Sequence, residues 1–176
     1  MVESHFLELR VFGYPTDVIL LQLDFVTIYD ARRAKRDMAP LVPGGKLRVL
    51  VAEDEQLAAF VVEDALSDQG HQVVLACDGR EALDIAETFD FDVLVTDLAM
   101  PRVTGWELIS CLRARRADLP VVVMTGYLPP GGGQALFADK RGRTALIHKP
   151  FALDQLYAAL SQVAPQRAGR AAAYTA

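Results

Sequence analysis

The chain has 176 residues, 52% hydrophobic and 23% charged, with a net charge of -5. That is the profile of a soluble globular protein of one ordinary domain plus extensions, and the acidic balance argues against a nucleic-acid-binding domain. The longest apolar stretch, Val18 to Ile28, is too short to span a bilayer and carries Asp24, and Cys77 and Cys111 are too few for a disulfide framework or a zinc site, so a reduced cytoplasmic setting is expected.

Residues 1–45 read as an extension without evident chemistry. "FLELRVF" and "VILLQLDFVTIYD" could pair as a hairpin about Gly13 to Thr16, and the basic "ARRAKR" run with "MAPLVPGGK" reads as a solvated linker. The first apolar run, "LRVLVA" (47–52), ends in Glu53, Asp54 and Glu55. A helical stripe follows at Ala58, Val61, Val62, Ala65 and Leu66, with Gly70 where a left-handed cap is expected. "QVVLA" (72–76) is the second strand, ending in Cys77 and Asp78, which offer no comparable chemistry. Ala82, Ile85, Ala86 and Phe89 make the second stripe. "DVLVT" (92–96) then leads into Asp97, and Leu108, Ile109 and Leu112 make the third stripe.

"PVVVM" (120–124) is followed by Thr125 and Gly126. The segment "GYLPPGGGQALFADKRGR" is irregular. Its glycines lack the Lys-Ser/Thr and the leading strand of a phosphate loop, so they read as a flexible connector. Pro129 to Gly133 should exclude a helix, leaving a short one near Gln134 to Lys140. "TALIH" (144–148) ends in Lys149 and Pro150, and the last stripe is Leu153, Leu156, Tyr157 and Leu160. Residues 165–176 read as a flexible tail. Apolar runs without polar alternation suit strands covered on both faces. Their alternation with helices implies an α/β domain with a parallel sheet over residues 46–164.

In an open parallel sheet, ligands bind beyond the carboxyl ends of the strands. With strands ordered 2-1-3-4-5, the ends of strands one, three, four and five share one rim. Each residue there has an ordinary explanation alone: Glu53 and Asp54 as helix-terminal acids, Asp97 as a turn residue, Thr125 as a strand-end hydroxyl and Lys149 as a surface cation. Together they place three carboxylates in one space, which like-charge repulsion makes costly unless a cation intervenes. A hard divalent ion with oxygen ligands, Mg²⁺ above all, answers that need. A carboxylate, a hydroxyl, a fixed ammonium and a metal site can together accept a phosphoryl group as an acyl phosphate. Gly126 leaves its approach unobstructed.

From Leu47 to about Val163 the chain resembles the receiver domain of bacterial two-component response regulators. The motifs that carry the resemblance are Glu53–Asp54 after strand one, Asp97 with Pro101 and Gly105 following, Thr125–Gly126, and Lys149–Pro150 followed by Phe151. The resemblance implies a flavodoxin-like doubly wound fold, with Asp97 as phospho-acceptor. It implies Mg²⁺ (or Mn²⁺ in its stead) held by Asp54, Asp97 and the Ala99 carbonyl, with Glu53 acting through water. It also implies a cis Lys149–Pro150 peptide. The implied partner is a sensor histidine kinase or a histidine phosphotransfer protein, with no nucleic acid and no membrane, and with room for a homodimer. The chain departs from the family at Leu146, where an aromatic usually stands, and in the shortened fourth helix. Tyr127 and the loop 126–143 are therefore expected to take part in the readout. Only 12 residues follow Ala164, too few for a helix-turn-helix output domain. A haloacid-dehalogenase-like phosphatase would need a second Asp where Ala99 stands. A pseudo-receiver binding module fits poorly with intact Asp97, Thr125 and Lys149, and a dinucleotide fold lacks a G-x-G-x-x-G after strand one.

Overall fold

A computed structural model of the chain describes residues 45–165. The hairpin and linker expected over 1–45 and the tail after Pro165 lie outside the described residues, Gly45 excepted. Five strands alternate with five helices: β1 (Arg48–Ala52), α1 (Gln56–Asp68), β2 (Gln72–Ala76), α2 (Gly79–Ile85), β3 (Val93–Asp97), α3 (Gly105–Arg115), β4 (Val121–Thr125), α4 (Gly132–Ala138), β5 (Thr144–His148) and α5 (Leu153–Val163). All four pairings are parallel and the order is β2-β1-β3-β4-β5. Among the described residues, no helix is long and apolar enough to cross a membrane.

Side chains alternate between the two faces of the sheet, and both faces are covered. Val49, Val51, Val93, Val95, Val122 and Met124 face a core completed by α1 and α5. Leu50, Ala52, Leu94, Val121 and Val123 face a second core completed by α2, α3 and α4. This is why β1, β3 and β4 read as unbroken apolar runs. β2 and β5, at the edges, are less completely buried.

Two expectations shift in detail. Ala59, not Ala58, joins Val62, Ala65 and Leu66 on the buried face of α1, while Ala58 is half-buried. The helix α4 begins at Gly132, two residues before the expected Gln134, and stops at Ala138. Gly131 adopts a left-handed φ of 79°, Gly132 N donates to Pro129 O at 2.8 Å, and Ala135 N donates to Gly131 O at 3.1 Å. The first turn of a helix needs no internal N–H partners, so glycines enter it at an entropic cost only. Gly70 takes the expected left-handed conformation after α1, with φ of 84°.

Candidate phosphoryl-acceptor site

The rim at the carboxyl ends of β1, β3, β4 and β5 gathers the residues singled out from the sequence. Asp97 is the last residue of β3 and is 8% exposed. The chain turns immediately after it, so the next backbone N–H groups fold back onto its side chain. Leu98 N donates to Asp97 Oδ1 in a short hydrogen bond, and Ala99 N donates to the same oxygen at 3.1 Å. The other oxygen, Oδ2, accepts from Lys149 Nζ at 2.7 Å. Each oxygen of the carboxylate therefore has its own donor set, which fixes the plane of the group.

Lys149 also donates to Glu53 Oε2 at 2.6 Å, so one ammonium bridges two carboxylates, one just past β1 and one at the end of β3. Glu53 is 2% exposed, and its other oxygen accepts from Glu55 N at 3.3 Å. Burial pushes the Glu53 carboxyl above its ordinary range, against the hydrogen bond from Lys149, which pulls it down. Burial alone would lower the Lys149 ammonium, but its hydrogen bonds to Asp97 and Glu53 outweigh that and hold it above the usual lysine range. The sequence pattern points Lys149 toward a phosphoryl group and Glu53 toward a metal; the salt bridge between them, across 96 residues of sequence, is a contact that no residue pattern announces.

Asp54 is exposed beside these two. Glu53, Asp54 and Asp97 each bring a carboxylate oxygen within 4.8 Å of the others, an all-oxygen, acidic donor set. Such a set fits a hard divalent cation of the Mg²⁺ type better than a softer metal, which would favour nitrogen or sulfur. Thr125 ends β4 fully buried, and its hydroxyl is engaged locally: Oγ1 donates to Tyr127 O at 2.8 Å and accepts from Tyr127 N at 3.3 Å. Lys149 N donates to Thr125 O at 2.9 Å, continuing the β4–β5 pairing past the strand ends. Gly126 is exposed, and a Cβ there would meet nothing within 4 Å. The Lys149–Pro150 peptide is cis.

Gly105 and Pro101 frame the loop after Asp97. A Cβ at Gly105 would lie 1.9 Å from Asp97 O, so only glycine allows the start of α3 to rest against the β3 terminus. Gly105 N donates to Leu98 O at 3.0 Å. Of the two residues singled out for an altered readout, Tyr127 adjoins the site through its backbone, whose O and N both pair with Thr125 Oγ1. Leu146 is half-buried within the second core, and the Tyr127 residue is 71% exposed.

Comparison with known proteins agrees with this geometry. The sequence model of the response regulator receiver domain matches residues 49–161. Response regulator MprA of Mycolicibacterium vanbaalenii is 36% identical over 112 residues, which is 64% of this chain and 48% of that protein. Transcriptional regulatory protein TcrA of Mycobacterium tuberculosis is 32% identical over 119 residues, 65% of this chain and 44% of that protein. The chain thus spans about half the length of the curated relatives it matches. Among solved structures, chemotaxis protein CheY4 of Vibrio cholerae superposes with a TM-score of 0.62 at 32% identity, over 68% of this chain and 99% of that one.

Proposed function

The chain belongs to the response regulator receiver domains of two-component signalling, and from that premise we propose that Asp97 accepts a phosphoryl group from a phosphohistidine and holds it as a signal. The observation that carries this reading is the set of contacts to Asp97: two backbone N–H groups on one oxygen and the Lys149 ammonium on the other.

In the transfer, an Asp97 oxygen forms a bond to phosphorus as the N–P bond of the donor histidine breaks. The bonding pair returns to the imidazole nitrogen. Lys149 offsets negative charge gathering on the phosphoryl oxygens, and the Leu98 and Ala99 N–H groups keep the carboxylate aligned. Thr125 turns its hydroxyl from Tyr127 O to a phosphoryl oxygen. Gly126 offers no side chain to obstruct it. Asp54, Asp97 and the Ala99 carbonyl would hold Mg²⁺, with Glu53 acting through water, and Mn²⁺ would serve the same oxygens. When bound, the ion neutralises charge shared between the carboxylates and the phosphoryl oxygens. Ala99 has no carboxyl with which to activate water, which suits a phosphoryl group held rather than hydrolysed. The signal then passes through the loop 126–143, freed when Thr125 leaves Tyr127. The donor is a sensor histidine kinase or a phosphotransfer protein.

Incubation with acetyl phosphate and Mg²⁺, followed by intact mass, tests the assignment. One phosphoryl adduct is expected on the wild type, none after chelation of Mg²⁺, and none on Asp97→Asn. An undiminished adduct on Asp97→Asn would falsify it.

A further inference from the structure

The end of β2 carries no chemistry legible in the sequence, yet its Asp78 reaches the loop that follows Asp97. The Asp78 side chain is 2% exposed. Its Oδ1 accepts from Arg80 N at 2.7 Å and from Glu81 N at 3.0 Å, capping α2. Its Oδ2 faces the Arg102 guanidinium in an ion pair, with the Cys77 thiol 3.7 Å away. A buried carboxylate with one oxygen committed to a helix cap leaves the other in need of a charge partner, and Arg102 supplies it.

Arg102 holds a φ of 64° and, among the described residues, no other non-glycine residue has a positive φ. Glycine or asparagine would relax at that angle, and the side chain that stands there instead brings the cation. The same two loops also touch a second time. A Cβ at Gly79 would lie 2.2 Å from Val103 O, so the α2 start packs directly on the residue after Arg102. Between these anchors and β3 runs the backbone of Leu98 and Ala99, whose N–H groups hold Asp97 Oδ1. Where that loop sits, the plane of the acceptor carboxylate follows.

We propose that Asp78 and Arg102 are a positioning pair for Asp97, fixing the loop 98–104 and thereby the rate of phosphoryl acceptance. This rests on the reading of Asp97 as phospho-acceptor. Neither residue touches the reacting atoms; they act through the Leu98 and Ala99 N–H groups.

Three variants test it. Arg102→Gly suits the backbone angle and removes the cation. Asp78→Asn keeps a good cap acceptor and removes the charge. Arg102→Lys restores a cation as a point charge. Amide exchange at Leu98 and Ala99 should speed up about ten-fold in the first two, with the core-strand amides unchanged, and return toward wild type with lysine. Acceptance from acetyl phosphate at saturating Mg²⁺ should fall about ten-fold in the same two variants, the loss expected when a supporting partner is removed. Wild-type exchange at Leu98 and Ala99 together with wild-type rates would overturn the inference. So would exchange that rises equally across the core, since the pair would then serve stability alone. A wild-type chain that takes no phosphoryl group would overturn the acceptor reading instead, and the exchange comparison would still decide whether the pair positions the loop.

Discussion

A methyl group at Gly105 would meet the Asp97 carbonyl oxygen at 1.9 Å and Leu98 Cα at 2.9 Å, both of them backbone atoms that cannot rotate away. Gly105→Ala should therefore cost about 2–3 kcal/mol in urea unfolding and slow phosphoryl acceptance. Gly126→Ala, in open space, should stay within about 0.5 kcal/mol of wild type by the same measurement. Equal stabilities for the two variants would refute the close-approach argument. The contrast also shows which residues a sequence can reveal. Asp97, Thr125 and Lys149 were readable because each terminates an apolar run, and chain position alone sends strand ends to one rim. The pairing of Lys149 with buried Glu53, and of Arg102 with Asp78, was not readable. Those contacts depend on side-chain reach and on a left-handed backbone angle that no residue pattern announces.

The helices differ in how their ends are secured. α3 has a full capping box, with Glu107 N donating to Thr104 Oγ1 at 3.3 Å and Thr104 N donating to Glu107 Oε2 at 2.9 Å. Arg113 and Arg115 sit in its last turn, where the helix dipole favours cations. Arg113 also donates to Leu119 O and Thr144 Oγ1, tying α3 to β5. By contrast, α4 has seven residues, two of them glycines at its start, and no side-chain cap. A helix this short gains little from its own hydrogen bonds. Its amides should exchange fastest of the five helices in the unphosphorylated protein, while those of α3 should be well protected. Protection of α4 matching that of α3 would contradict this account. The sequence showed that α4 would be short and displaced by its prolines. Its starting residue depended on Gly131 turning left-handed, a choice glycine leaves open.

At the scale of the molecule, one buried histidine ties stability to pH. His71 Nδ1 accepts from Leu47 N at 3.2 Å where the chain enters β1, and Nε2 is buried without a partner among the described residues. Burial holds the ring below the usual histidine range. Well above a pH of about 6.5 the ring is neutral in folded and unfolded chains alike, and it has no effect on the pH slope. Below that, the unfolded chain takes up a proton first, so stability falls as pH drops toward the folded value, by at most about 1.4 kcal/mol per pH unit. Urea midpoints from pH 7 to 5 should show this fall for the wild type and a flatter profile for His71→Asn. Parallel profiles would rule the histidine out. The bridge made by Lys149 has a consequence in time as well as in space. Its ammonium meets Glu53 and Asp97, 96 and 52 residues earlier in the chain, from just beyond an edge strand. During synthesis, Glu53, Asp54 and Asp97 all leave the ribosome before the cation that reconciles two of them. Contacts this distant in sequence form late. Until β5 docks, the carboxylates of Glu53 and Asp97 lack that cation, and the surroundings of Asp97 are complete only with the fifth strand of the sheet.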